Sequence, residues 1–125
     1  MRASGWTVKE GVELRAAHDL PHMVALREAA VRTSPHIIPD SRGRCLVVIT
    51  EGFRPPMHTD DAHTWCLALD LRVSNILLGH GDNVQTAAWD WVARMRNHLG
   101  NDSRYQFDCH GDGPNFHIHA EFDPR

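Results

Sequence analysis

No stretch of this chain approaches the roughly 20 consecutive apolar residues that a membrane-spanning helix needs, so membrane insertion is not expected. Cysteine is scarce: Cys45, Cys66 and Cys109 are odd in number and widely spaced. That pattern argues against a disulfide framework and against a paired-cysteine zinc knuckle, and leaves reduced thiols as the expectation. Basic clusters are missing too. The 13 lysines and arginines are scattered singly among 16 acidic residues, for a formal charge of −3, which gives no electrostatic footprint for a phosphate backbone and excludes nucleic acid as the expected partner. The opening MRASGWTVKEGVELR has no apolar core followed by a small-residue cleavage site, so no secretory signal peptide is expected. A cytoplasmic location in the producing cell follows, with release by lysis open. Repeats, low-complexity tracts and linkers are likewise absent, and 125 residues with 42% hydrophobic content suit one packed domain over 1–125.

Histidine is the one residue present in excess. There are 10, and His58, His63, His110, His117 and His119 fall in two short segments, a compositional hint of metal binding.

The periodicity predicts two helices and several strands. DLPHMVALREAAVRTS, from Asp19, offers a side-chain cap, a proline in the first turn and an apolar stripe through Met23, Leu26 and Ala30, with Ser34-Pro35 as its stop. Val84, Ala87, Ala88, Trp91, Val92, Met95 and Leu99 share one face of a second helix capped by Asp82 or Asn83 and ended by Gly100. CLVVIT, from Cys45, is a β-branched run that reads as a central strand feeding a loop. In WCLALDLRV the large residues Trp65, Leu67, Leu69, Leu71 and Val73 alternate with Cys66, Ala68, Asp70 and Arg72, the period expected when one face meets a core. FHIHAEF puts Phe116, Ile118, Ala120 and Phe122 on one side and His117, His119 and Glu121 on the other. The expected fold is α+β, with two main helices on one face of a small, mostly antiparallel sheet. His18, His22, His36, His80 and His98 read as solvated.

His63 precedes Asp70 by seven positions, an odd number that forbids a shared strand face, so His63 must reach over from a loop. A loop imidazole, the Asp70 carboxylate and a third donor on the last strand, His119 or His117, make the two-imidazole, one-carboxylate set that a catalytic zinc uses. Glu121 could orient one of these ligands.

GFRPPMHTDDAHTWCLALDLR resembles the motif region of the hedgehog/DD-peptidase superfamily of zinc peptidases. In its small phage-type members the pattern is H-x4-H-x6-D followed by Ile-Arg, matched here by His58, His63, Asp70, Leu71 and Arg72, and the ending HIHAEFDP resembles their HIHxEYDP. The resemblance runs from about Leu46 to Pro124. It implies zinc held by His63, Asp70 and His119, with His117 beside the metal and with Arg54 and His58 on the substrate side. It further implies hydrolysis of a peptide bond in peptidoglycan-type stem peptides by an enzyme of the phage-associated kind.

The chain departs from the family pattern at three places. Asp61-Ala62-His63 replaces Ser-x-His, Cys66 replaces a glycine, and Phe116 stands where relatives carry the carboxylate that serves as general base. The stretch DCHGDGPN reads as a shapeable loop offering Asp108, His110 and Asp112, with Asp112 first and His110 next, to take a proton from the attacking water. A non-catalytic module that keeps zinc for stability is the rival reading, and a metal-free α+β protein is a third.

Overall fold

The computed structural model describes residues 1–54, 62–63 and 65–124. Among the described residues five strands form one sheet: β1 (Gly5–Val8), β2 (Leu46–Glu51), β3 (Ala68–Arg72), β4 (Tyr105–His110) and β5 (His117–Phe122). Their spatial order is β1-β2-β3-β5-β4. β1 runs parallel to β2, and every other pairing is antiparallel. Two helices, α1 (Pro21–Arg32) and α2 (Val84–His98), complete an α+β architecture. No helix among the described residues is long and apolar enough to cross a membrane.

α2 forms where its stripe predicts. The Asn83 side chain accepts the Thr86 N–H at 2.9 Å, filling one of the donors a helix start leaves over, and Gly100 leaves the helix at φ +72°. α1 differs at its start. Asp19 ends a 3-10 turn over Ala16–Asp19, and the helix begins at Pro21 with Leu20 as an N-cap that makes no side-chain bond. Proline suits this position because its missing N–H would have had no intrahelical partner. Asp19 instead pairs with Arg27 at 3.2 Å.

Met23, Leu26 and Ala30 of α1 and Ala88, Trp91, Val92 and Met95 of α2 share one cluster with Val47, Ile49, Leu69, Leu71, Ile118 and Ala120 of the strands. Both helices therefore lie on the same face of the sheet, and the alternate strand residues, including Asp70, His117 and His119, occupy the other. Strand alternation fails at Trp65, which is 62% exposed, because β3 begins only at Ala68. The residues before it form a turn, in which Leu67 N–H donates to the Ala62 carbonyl at 2.8 Å and Cys66 N–H to the His63 carbonyl at 3.1 Å. β2 is interior but not central; that place belongs to β3. Two of the histidines read as solvated are not. His18 is buried, its Nδ1 accepting the Arg15 N–H at 2.9 Å, and His22 stacks on Phe122 with ring centroids 4.3 Å apart.

Cys66 closes that turn at φ +60°, in the left-handed region that costs a side-chain-bearing residue roughly 1–2 kcal/mol. Its thiol is buried, lies outside the donor cluster described below, and is pushed up by that burial. Replacing Cys66 with glycine is therefore expected to change the unfolding free energy by less than about 1 kcal/mol, relief of backbone strain offsetting the small lost side chain. Cys66→Val, β-branched in a left-handed position, is expected to cost about 1–3 kcal/mol. Urea unfolding of the two variants beside the parent checks both.

Candidate metal centre

Three elements bring their donors to one point. The turn residues 62–63 carry His63 over β3, while β3 and β5 pair Asp70 directly with His119. His63 Nε2 lies 3.1 Å from Asp70 Oδ1, His119 Nδ1 lies 3.0 Å from the same oxygen, and the two nitrogens are 3.2 Å apart. His63 and Asp70 are buried and His119 is half-buried.

Hydrogen bonds on the far side of each ring decide what faces the centre. Gly52 offers His63 Nδ1 only a carbonyl oxygen, at 2.9 Å, so Nδ1–H must donate and Nε2 of the neutral ring presents its lone pair to Asp70. His119 Nε2–H donates to Glu121 Oε1 at 3.2 Å, which turns the Nδ1 lone pair inward in the same way. Three electron-rich atoms thus converge within hydrogen-bond distance of one another, an arrangement that only a shared positive charge makes favourable. A carbonyl or carboxylate holding the outer nitrogen is also the usual support of a metal-ligating histidine. Donors on a tetrahedral ion with bonds of about 2.0–2.1 Å stand roughly 3.4 Å apart, close to the edges of this triangle. The His63, Asp70 and His119 group could hold a metal ion.

Without an ion, protons on the inner nitrogens of His119 and His63 supply the shared positive charge instead. Burial alone would raise the Asp70 carboxyl, but the hydrogen bonds those protons make outweigh it and hold the group well below the ordinary carboxylate range. The Asp70 bond raises His119 above the usual imidazole value, against the opposing pull of burial.

No family model matches this chain, and neither does any curated protein or solved structure. What the centre can do is therefore argued from its own geometry.

The donor triangle opens into a cavity of about 450 Å³ whose remaining polar wall includes Glu51, Arg54, His110, His117 and Glu121. Glu51 reaches it through a β-bulge. Ile49 pairs with Leu71 and Glu51 with Asp70, so β2 spends two residues where β3 spends one, and Glu51 is turned from the core side to the side of Asp70. Arg54 is held by Glu51 in a two-pronged ion pair, Nε to Oε1 at 2.7 Å and Nη2 to Oε2 at 2.8 Å.

His117 Nδ1–H donates to the Asn115 carbonyl at 2.8 Å, leaving Nε2 3.5 Å from Asp70 Oδ2. His110 packs edge-on to His117 with centroids 4.4 Å apart. The segment read as a loop offering Asp108 and His110 is in fact the end of β4, and its register sets Asp108 opposite His119 and His110 opposite His117. Asp112 is exposed at the cap of the 3-10 turn Gly113–Asn115 and is not part of the cavity wall. His58 lies outside the described residues. Three parts of the site had not been anticipated: Glu51 and the carbonyls of Gly52 and Asn115. Glu121, read as able to orient a neighbouring ligand, meets His119 Nε2 at 3.2 Å.

Gly52 is where glycine is required by space. A Cβ there would stand 2.6 Å from the Glu13 carbonyl oxygen and 2.5 Å from Leu14 Cδ2. Gly52→Ala must displace the carbonyl that fixes the His63 tautomer, and metal affinity is expected to fall roughly 10–100-fold, the scale of losing a partner behind a ligand. Competition titration against a chromophoric chelator reads this directly.

Proposed function

We propose that this chain is a zinc-dependent peptidase of the hedgehog/DD-peptidase type, hydrolysing a peptide bond in peptidoglycan stem peptides. The observation that carries the reading is the convergence of two outward-anchored imidazoles and one carboxylate beneath an open cavity. Two nitrogens and one oxygen, with room for a further ligand, are the donor set of a catalytic zinc, whereas magnesium and calcium favour all-oxygen shells. The left-handed backbone at Cys66, where the motif carries glycine, adds support from the main chain.

Zinc held there would supply a Lewis acid that polarises the scissile carbonyl and acidifies water. The chain's own residues do the rest. His117, its Nδ1–H fixed by Asn115, keeps an Nε2 lone pair at the cavity wall to take a proton from the attacking water and return it to the leaving amine. His110 buttresses that ring. Glu51 holds Arg54 at the cavity, where the guanidinium steadies the substrate.

One observation favours a non-catalytic, zinc-stabilised module instead. Each carboxylate of the described cavity wall is already engaged: Glu51 by Arg54, Asp70 within the triangle, and Glu121 by His119. The test separates the two readings. Untagged protein is analysed for metal content, then incubated with purified stem peptides and followed by mass spectrometry. Stoichiometric zinc with cleavage that His117→Asn lowers by about 10²–10⁴-fold, zinc being retained, is the expected result. Zinc without cleavage of any stem peptide leaves the module.

A further inference from the structure

Beside the donor triangle, on the same face of the sheet, lies a second cavity of about 280 Å³ that shares Glu51, Asp70 and His117 with the first. Its wall adds Lys9, Thr50, Arg72 and Asn115. Arg72 is two residues beyond Asp70 on β3, so it projects from the same face one strand repeat away, about 6.6–6.8 Å, and its register partner on β5 is His117.

The charges in this wall are unbalanced in a specific way. Both carboxylates are engaged, Glu51 by the two-pronged bond from Arg54 and Asp70 by the imidazoles. Among the described residues, the Lys9 ammonium and the Arg72 guanidinium have neither hydrogen bond nor ion pair. Arg72 is half-buried, where a cation gains most from finding an anion. A planar guanidinium and an ammonium lining one cavity match a carboxylate, which takes two parallel N–H bonds from arginine. Arg54, the cation nearer the donor triangle, has its charge answered by Glu51 already.

We infer that Lys9 and Arg72 form a carboxylate-binding subsite, which seats an anionic group of a peptide substrate within about two residues of the bond presented to the donor triangle. The inference rests on the peptidase reading for the identity of the ligand as a peptide. Two sources supply the same chemistry, a free C-terminal carboxylate and an acidic side chain.

The test is a calorimetric titration of the zinc-supplemented chain with three probes: N-acetyl-dialanine, the same peptide as its C-terminal amide, and an amidated N-acetyl peptide carrying one glutamate. At least tenfold tighter binding of the first than of the second, lost in both Arg72→Gln and Lys9→Gln and partly restored in Arg72→Lys, supports the subsite with a terminal carboxylate as occupant. The same preference shown by the glutamate peptide supports it with a side-chain carboxylate. Lys9 is exposed beyond the end of β1, so its variant keeps the test open if Arg72→Gln folds poorly. Equal binding of all three probes, binding of none, or a preference untouched by both variants overturns the subsite. Turnover is followed separately on the same peptides: cleavage indifferent to the carboxylate sinks the subsite and spares the peptidase, whereas carboxylate-dependent binding without cleavage does the reverse.

Discussion

His63→Ala is expected to abolish stoichiometric metal binding and, with it, any hydrolysis. The imidazole is 1% exposed, and it is the one donor of the triangle that does not come from the sheet. Removing it leaves Asp70 and His119, two donors from adjacent strands, and opens the Gly52 carbonyl to an empty space. The loss of affinity should exceed the roughly 10–100-fold that displacing an outer partner costs. A second reading of the same variant comes from stability. A ligand that binds only the folded chain stabilises it by about 4 kcal/mol at a thousandfold excess over its dissociation constant, so the parent's unfolding midpoint should climb with added zinc while that of His63→Ala stays flat. The parent's response should also fade as the solution is acidified. His119 is raised above the ordinary imidazole value, so in the metal-free chain it takes up its proton at a higher pH than a free histidine would. Since only the deprotonated ring binds metal, proton competition sets in earlier on the way down in pH. Metal content after dialysis at stepped pH values measures this, and a parent that shows no metal-dependent shift at any pH would remove the centre altogether.

The position of His63 was legible because parity is unforgiving. Seven residues separate it from Asp70, and a strand cannot place both on one face, so a loop origin followed from counting alone. β5 and α2 were equally plain, since each buries one full face and its sequence records the period. β1 and β4 were not read from the sequence for the opposite reason. Both are edge strands, and β4 buries only Phe107 fully among its six residues, so little alternation exists to be seen. Missing β4 carried into the site: Asp108, His110 and Asp112 read as candidate bases on one shapeable loop, whereas pairing with β5 pins His110 beside His117 and leaves Asp112 outside on the connection. Glu51 was hidden differently. A strand that kept strict alternation from Val47 and Ile49 would bury it, and only a bulge, which has no sequence signature here, turns it to face Asp70. The carbonyls of Gly52 and Asn115 belong to the main chain and leave no trace in side-chain patterns.

Trp91→Ala should be the most damaging single change away from the metal centre, at about 3–5 kcal/mol. Trp91 is fully buried at the middle of α2, in the cluster that joins both helices to the sheet. Its indole Nε1–H donates to the Ala30 carbonyl at 3.2 Å. Ala30 lies in the last turn of α1, whose terminal carbonyls have no partner within the helix, so the indole fills space and satisfies a buried acceptor together. Truncation leaves a cavity and an orphaned carbonyl in the same place. Trp91→Phe separates the two effects: it keeps most of the volume and should cost roughly 1–3 kcal/mol, the penalty of the unmet acceptor together with a smaller void. Against a total of about 5–15 kcal/mol for a domain of this kind, the alanine variant loses a large share of its margin, and its urea midpoint should fall with little change in slope. Metal content per folded molecule should stay at the parent's value, because α2 packs on the helical face of the sheet and the donors stand on the other. A variant that unfolds easily yet binds metal normally while folded, set beside His63→Ala with the reverse behaviour, would show that the core and the metal centre are separable properties of the two faces of one sheet.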